Sequence, residues 1–238
     1  MTVNKQGNLF LIPVPISEND WSSIPLSVIE KMHNINYFIV ERARTSRRFM
    51  RSSGFLGDIS KINFFELDKR KPEKFPKEIF DPIFKGESMG LMSEAGMPGI
   101  ADPGAKVVEK AHKLGIRVIP LTGPSSIFLS LAASGLNGQQ FCFHGYLPVK
   151  KAELHQKLRT FENKILKEGE TQIMIETPYR NESFFQAIVE TLNQNIKLCV
   201  AIELNGENEF IKTLSIQEWK KTKLPEMHKK TAVFLVGK

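Results

Sequence analysis

The 238-residue sequence has little cysteine and no long apolar run, and each absence excludes a class of protein. Cys142 and Cys199 show no CxxC spacing and no histidine at metal-ligand spacing, so we expect reduced core thiols in a cytoplasmic protein and no metal site. No apolar run approaches the roughly 18 residues of a membrane span, and the first one ends at Pro13. The sequence therefore predicts neither a signal peptide nor a membrane anchor.

Common nucleotide-binding and hydrolase signatures are missing or out of place. There is no GxG and no GxxxxGK[ST], which excludes the usual dinucleotide and phosphate-binding loops. Residues 86–90 match GxSxG, but that nucleophile elbow requires a strand before the serine and a helix after it. Here a predicted helix precedes Ser88 and a predicted strand follows it. A serine hydrolase is therefore only a minor alternative.

In the first half of the chain, short apolar stretches alternate with amphipathic ones, which predicts an α/β domain. Continuously apolar strands of this kind are typical of a parallel-rich sheet that is buried on both faces. The predicted strands are 8–13, 36–41, 62–67, 88–93 and 115–121, and the predicted helices are 26–33, 45–52, 76–84 and 105–114.

The pattern changes after Leu121, where a run of turn-forming residues opens an apolar helix, and we place a domain boundary there. The sequence thus predicts two α/β domains, residues 1–121 and 122–238. The last three strands follow one another with at most one short helix between them, which favours a mixed or antiparallel second sheet. The predicted strands are 140–144, 172–176, 198–204, 209–214 and 231–236, and the longer helices are 151–168 and 182–192.

A loop rich in glycine and proline follows the predicted strand at 88–93 and reaches Gly104. Ligands in open α/β sheets bind beyond the carboxyl ends of strands, where glycines let the backbone approach closely. The alternative is a plain strand-to-helix turn with Asp102 as the helix N-cap. Similar loops at 121–126 and 143–148 straddle the domain boundary, which predicts a ligand cleft between the two domains.

Four blocks in this order resemble the tetrapyrrole methylase superfamily: SEAGMPGIADPG (93–104), LTGPSS (121–126), FHGYLP (143–148) and ETPYR (176–180). Within it, the chain is most similar to the ribosomal RNA small-subunit methyltransferase I group, which methylates a cytidine 2′-hydroxyl with S-adenosylmethionine. The resemblance covers nearly the whole chain. It implies a two-domain fold with a parallel-rich N-terminal sheet, a mixed C-terminal sheet, the cofactor in the cleft between them, and a homodimer.

The resemblance also implies which residues hold S-adenosylmethionine. The loop after the fourth strand would follow the edge of the cofactor, the loop at 121–126 would hold its methionine or ribose portion, and two strands of the second domain would hold the adenine. Methionine at such a position is more often plain core. The implied residues are Ser93, Glu94, Ala95, Gly96, Pro98, Thr122, Gly123, Ser125, Met174, Ala201 and Leu204.

Three departures from the family pattern leave the methyl acceptor open. Residues 16–19 replace the usual Gly-Asn-Leu, residues 41–44 read Glu-Arg-Ala-Arg instead of Glu-Asp-Thr-Arg, and the chain ends after a strand without the C-terminal extension of many members. A methylase of a tetrapyrrole or another small molecule, and an RNA-binding relative without catalysis, therefore stay as alternatives.

A ribose hydroxyl is a poor nucleophile, so a base near the acceptor is expected. Glu94, Asp102 and His144 are the candidate catalytic residues, because each follows a strand that leads to the predicted cleft; Glu176 shares this placement. Each has another explanation: Asp102 as a cap, Glu94 as a ribose ligand, His144 as a satisfied strand-end histidine, and Glu176 as a partner of Arg180.

Basic residues exceed acidic ones by 33 − 26 = 7, which makes a polyanion such as RNA a candidate partner. Four arginines fall at i, i+3, i+4 and i+7 of a predicted helix, where they form one basic stripe, and a fifth extends it upstream. A solvated helix face is the alternative. The predicted RNA-binding residues are Arg42, Arg44, Arg47, Arg48 and Arg51.

Overall fold

The computed structural model describes residues 6–18, 20–68, 76 and 78–238. Asn19, at the end of the altered segment 16–19, lies outside them. The chain forms two compact units, one that reaches Ser125 and one from Ser126 to Lys238. The domain limits at residues 121 and 122 stay a prediction.

The first unit contains a five-stranded sheet of order β3-β2-β4-β1-β5 in which every strand pair is parallel. Its strands are β1 (Leu9–Ile12), β2 (Tyr37–Val40), β3 (Asn63–Glu66), β4 (Met89–Met92) and β5 (Val118–Pro120). Its helices are α1 (Leu26–His33), α2 (Ala43–Ser52), α3 (Asp81–Phe84) and α4 (Gly104–Lys113).

Apolar side chains cover both faces of this sheet. Phe10 and Phe38 belong to a core cluster on one face, while Leu9 and Ile39 belong to a separate cluster on the other. Successive side chains of a strand point to opposite faces, so an uninterrupted apolar strand supplies both clusters. This confirms the predicted parallel sheet buried on both faces.

One predicted helix is wrong. Among the described residues of the range 76–84, only Asp81–Phe84 is helical. Pro82 lies in the first turn of α3, where proline is tolerated because its missing N–H would have no intrahelical partner, whereas the same proline disfavours a helix that begins a turn earlier.

The second unit contains a five-stranded sheet of order β6-β7-β10-β8-β9, in which β6 and β7 are parallel and the other pairs antiparallel. This confirms the predicted mixed sheet, and with it the α/β fold class. Its strands are β6 (Phe141–Phe143), β7 (Thr171–Ile175), β8 (Lys197–Ile202), β9 (Phe210–Ser215) and β10 (Ala232–Gly237). Its helices are α5 (Ser126–Ser134), α6 (Lys151–Glu168), α7 (Asn181–Thr191) and α8 (Ile216–Trp219).

Helices α6 and α7 pack their apolar sides into one core with the sheet of the second unit, through residues such as Leu158, Phe161 and Ile188. Both cysteines are free, and Cys199 is buried as predicted. Cys142 is only half-buried, which corrects its prediction as a core thiol, because β6 is an edge strand with one neighbour. Within the described ranges, no helix combines the length and apolarity needed to span a bilayer.

Candidate active site

Three loops meet at one edge of the first sheet. Strands β4, β1 and β5 are neighbours and parallel, so the loops that follow them leave from the same side. These loops begin at Ser93, Pro13 and Leu121. Ligands in open α/β sheets bind at this side.

The loops after β1 and β4 are joined by a reciprocal pair of backbone hydrogen bonds. The N–H of Val14 donates to the carbonyl of Gly96, and the N–H of Gly96 donates to the carbonyl of Val14, both at 3.0 Å. Gly96 has φ +66°, a conformation that favours glycine. A Cβ on Gly96 would lie 3.2 Å from the carbonyl oxygen of Pro124, so the loop after β5 also reaches this point.

Two further residues keep these loops compact. The buried Ser93 donates its hydroxyl to the carbonyls of Ala95 and Gly96, at 3.0 and 3.3 Å. A Cβ on Gly123 would lie 2.2 Å from Pro13, so only glycine fits there without a shift of the loop. The predicted cofactor residues of the first unit therefore lie in two loops that meet at Gly96, and their binding role stays a prediction: Ser93, Glu94, Ala95, Gly96, Pro98, Thr122, Gly123 and Ser125.

Asp102 fixes the far end of the loop after β4. Its carboxylate accepts hydrogen bonds from the N–H of Gly99 at 2.8 Å and of Gly104, the first residue of α4, at 2.7 Å. The N-cap residue of α4 is Pro103, so Asp102 is not the predicted N-cap; it binds the first N–H of the helix from one residue further upstream. The pKa of Asp102 is raised to about 6, mainly by burial and to a smaller extent by the charge of Glu41, against the opposing effect of the two backbone hydrogen bonds.

Glu94 connects the loop after β4 to the neighbouring end of β2. Its N–H donates to Oε1 of Glu41 at 3.3 Å, and its Oε2 accepts a long hydrogen bond of 3.4 Å from the Thr45 hydroxyl on α2. Glu41 and Thr45 were not predicted as site residues, because neither lies in a glycine-rich loop. The half-buried Glu94 carboxylate lies beside the three-loop junction.

The candidate acids and bases of the second unit make structural contacts there. The ring of His144 stacks on Phe161 with centroids 4.2 Å apart, and its Nε2 contacts Oε1 of Gln172 at 2.8 Å. Burial lowers the pKa of His144. Glu176 forms the expected ion pair with Arg180, at 3.1 Å. A catalytic role of His144 stays a prediction.

The predicted adenine residues are all buried in the second unit. Met174 on β7 is fully buried within the core cluster below α6 and α7. Ala201 lies inside β8, and Leu204 follows the end of that strand. Their approach to the loops of the first unit stays a prediction.

The five predicted RNA-binding arginines are exposed on and just before α2. A pocket of about 410 Å³ is lined by Arg44, Arg47, Arg48, Arg51 and Ser52. The guanidinium of Arg47 lies 5.2 Å from the ring centre of Phe64, and Arg48 pairs with Glu18 at 2.8 Å. The sequence pattern did not indicate the Glu18 pair, which offsets one of the like charges.

In the described part of the chain, no group of three or more His, Cys, Asp or Glu side chains could hold a metal ion. The donors gathered at the three-loop junction are backbone groups, hydroxyls and two carboxylates.

Two curated relatives share one name. Ribosomal RNA small subunit methyltransferase I of Buchnera aphidicola subsp. Schizaphis graminum is 30% identical over 210 residues, which cover 88% of this chain and 70% of that protein. The protein of the same name from Escherichia coli O157:H7 is 28% identical over 208 residues, covering 87% and 69%. No protein-family model matches this sequence.

Solved structures of methyltransferases share the fold. The methyltransferase CobJ has a TM-score of 0.64 at 14% identity, covering 97% of this chain and 94% of its own. The cobalt precorrin-4 methyltransferase CbiF, a cobalamin biosynthetic enzyme, has a TM-score of 0.60 at 11% identity, with the same coverage. At these identities the likeness concerns the fold.

We expect Asp102→Asn to change how stability depends on pH. The pKa of Asp102 is about 6 in the folded protein and near 3.8 when unfolded, so the folded state binds the proton more tightly. The wild-type protein should therefore become less stable as the pH rises from about 4 to 6, whereas the variant lacks this titration and should not. The melting temperature of the variant minus that of the wild type should rise over this window and then level off.

Asp58→Asn is the control for this pH series. Hydrogen bonds from Ser60 lower the pKa of Asp58, so its removal should leave the profile between pH 4 and 7 unchanged. A difference between Asp102→Asn and the wild type that stays constant over the same range would contradict the raised pKa.

Proposed function

The chain belongs to the ribosomal RNA small subunit methyltransferase I family and is a methyltransferase, and we propose that it transfers the methyl group of S-adenosylmethionine to the 2′-hydroxyl of a cytidine in small-subunit ribosomal RNA. The observation that carries the proposal is the junction of three loops around Gly96. It lies beyond the carboxyl ends of parallel strands, where ligands of open α/β sheets bind, and its glycines let a ligand come close to the backbone.

The donor set at this junction fits S-adenosylmethionine. This sulfonium cation has a carboxylate, a ribose and an adenine, so it requires backbone donors, hydroxyls and an apolar slot. Residues 93–104 and 121–126 contain no lysine or arginine, in contrast to a phosphate-binding loop. The backbone of 93–98 and the hydroxyls of Thr122 and Ser125 would hold the cofactor. Met174, Ala201 and Leu204 would line the adenine.

Bound S-adenosylmethionine supplies an electrophilic methyl group. The residues around it must hold the acceptor oxygen in line with that group and exclude water, and such positioning can lower a barrier by about 7 to 11 kcal/mol. As the oxygen–methyl bond forms, the methyl–sulfur bond of the cofactor would break to leave a neutral thioether, and the hydroxyl proton would leave to a base or to solvent.

Among the three candidate bases, Glu94 fits best. Both carboxylate oxygens of Asp102 already accept backbone N–H groups, and the ring of His144 packs on Phe161. Within the described part of the chain, the Glu94 carboxylate accepts one long hydrogen bond, from Thr45, and Glu94 belongs to the loop after β4 that forms the three-loop junction. We expect its carboxylate to accept the hydroxyl proton and to raise the rate of methyl transfer about 10²- to 10⁴-fold.

The arginines of α2 would bind the phosphates of the RNA. Four of them line one pocket, and Arg42 precedes the helix. The guanidinium of Arg47 is oriented by the Phe64 ring, a contact that leaves its N–H groups able to bind an anion. A homodimer and a cytoplasmic location remain part of the proposal.

Transfer of radiolabel from S-adenosylmethionine tests the acceptor. The purified protein is incubated with small ribosomal subunits or their RNA and, in parallel, with a small-molecule extract. We expect label in the RNA, as 2′-O-methylcytidine after digestion. Label only in the small molecules would replace this proposal with a tetrapyrrole or other small-molecule methylase, and label in neither would favour a non-catalytic RNA-binding relative.

Gly96→Val should weaken S-adenosylmethionine binding at least tenfold by calorimetric titration. Its side chain would enter the space beside Pro124, at a position where φ +66° already disfavours any side chain. Gly99→Val is the matched control, because Gly99 also has positive φ but a Cβ there would meet nothing within 4 Å. Equal affinities for both variants would argue against a cofactor site at the three-loop junction.

Reversal of Arg47 and Arg48 to Glu should weaken RNA binding and flatten its salt dependence, by roughly 0.7 in the logarithmic slope per lost contact on a single strand. Cofactor affinity should stay unchanged. The charge-matched control reverses the exposed Arg159 and Lys167 of α6. If the Arg47, Arg48 variant has the same salt slope as the wild type, these arginines do not contact RNA phosphates and the stripe is a solvated helix face.

A further inference from the structure

Two loops of the second unit present an exposed pair of aromatic rings. Tyr179 follows the end of β7 and is 73% exposed, and His228 precedes β10 and is exposed as well. Their ring centroids are 6.1 Å apart at an interplanar angle of 77°. An edge-to-face pair covers at most one face of each ring, so ring surface stays open to solvent.

The two loops are fastened to each other from below. Asn181, fully buried at the start of α7, donates both protons of its amide: to the carbonyl of Met227 at 3.1 Å and to that of Lys230 at 2.7 Å. The N–H of Lys229 also donates to the carbonyl of Pro178 at 3.1 Å. The backbone under both rings is thus ordered before any ligand binds, which lowers the entropy cost of binding.

Two basic side chains close to the rings form ion pairs inside the protein, and a third, that of Lys229 beside His228, is exposed. Arg180 pairs with Glu176 at 3.1 Å, and Lys230 lies 3.5 Å from Glu203 and 3.8 Å from Glu226. A phosphate would have to compete with these carboxylates. The surface that the ring pair itself offers is flat and apolar, which suits the face of a base better than the RNA backbone.

We propose that Tyr179, supported by His228, stacks on an unpaired base of the RNA substrate; this rests on the proposed function. Single-stranded loops and bulges expose base faces that aromatic side chains can cover, whereas a paired helix hides them. Stacking is independent of charge, so this contact is separate from the arginine stripe of α2. Its role is to position the RNA.

The test compares Tyr179→Ala and Tyr179→Phe with the wild type for binding of two RNAs. One RNA is a hairpin with the small-subunit target sequence in its single-stranded loop, and the other is a fully paired duplex of the same length. Tyr179→Ala should lose about 5- to 150-fold in affinity for the hairpin, the range for one stacked base. Tyr179→Phe should retain the affinity, because it keeps the ring.

Three further results belong to the expected pattern. Duplex affinity stays within twofold of the wild type in both variants, and the salt slope of hairpin binding is unchanged by Tyr179→Ala. The melting temperature is also unchanged, because the tyrosine side chain is mostly exposed. Phe84→Ala, which removes another exposed ring from the first unit, leaves hairpin binding intact.

Wild-type hairpin affinity in Tyr179→Ala would overturn the stacking site and leave the proposed function standing, provided that the wild type binds and methylates the RNA. Equal losses for hairpin and duplex, or a loss in Tyr179→Phe as large as in Tyr179→Ala, would also overturn it. So would a change in oligomeric state of Tyr179→Ala by sedimentation, since the ring would then contact a second copy. A wild type that binds no RNA would overturn both proposals.

Discussion

The candidate site depends on the two hydrogen bonds that Val14 and Gly96 exchange. They hold the loops after β1 and β4 together, and Gly96 adopts a positive φ in this arrangement. The carbonyl of Pro124 approaches the same glycine, so the loop after β5 is fixed at this point too. Neighbouring parallel strands deliver all three loops to one edge of the sheet.

Much of the fold could be predicted because apolar periodicity is local. The bounds of α1 and α6 agree with the sequence pattern to the residue, and both sheet types are confirmed. The start of α2 could not be predicted, because the N–H of Ala43 donates to Glu66 at 2.6 Å, a partner at the end of β3. The prediction of a longer helix at 76–84 was wrong because the apolar periodicity takes no account of Pro82.

In the candidate site too, contacts between sequence neighbours could be predicted and contacts between distant segments could not. Asp102 accepts hydrogen bonds from Gly99 and Gly104, which are near neighbours in the sequence, so residue types alone already indicate a turn there, although the N-cap of α4 is Pro103. The contacts of Glu94 with Glu41 and Thr45, and of Arg48 with Glu18, join distant segments and leave no local signal. The ring pair of Tyr179 and His228 also joins distant segments, although Tyr179 lies in one of the four blocks that carry the family resemblance. The sequence therefore singled out the segment 176–180, but only the tertiary structure shows that the ring of Tyr179 is exposed.

Hydrogen exchange with and without S-adenosylhomocysteine tests the central claim, that the three-loop junction is the methyl-donor site, most directly. At saturating ligand, amides in peptides covering 93–104 and 121–126 should exchange more slowly, because backbone groups there would contact the ligand. Peptides covering 53–61, beyond the end of α2, should be unaffected. Slower exchange confined to other segments, or no change although calorimetry detects binding, would contradict the account.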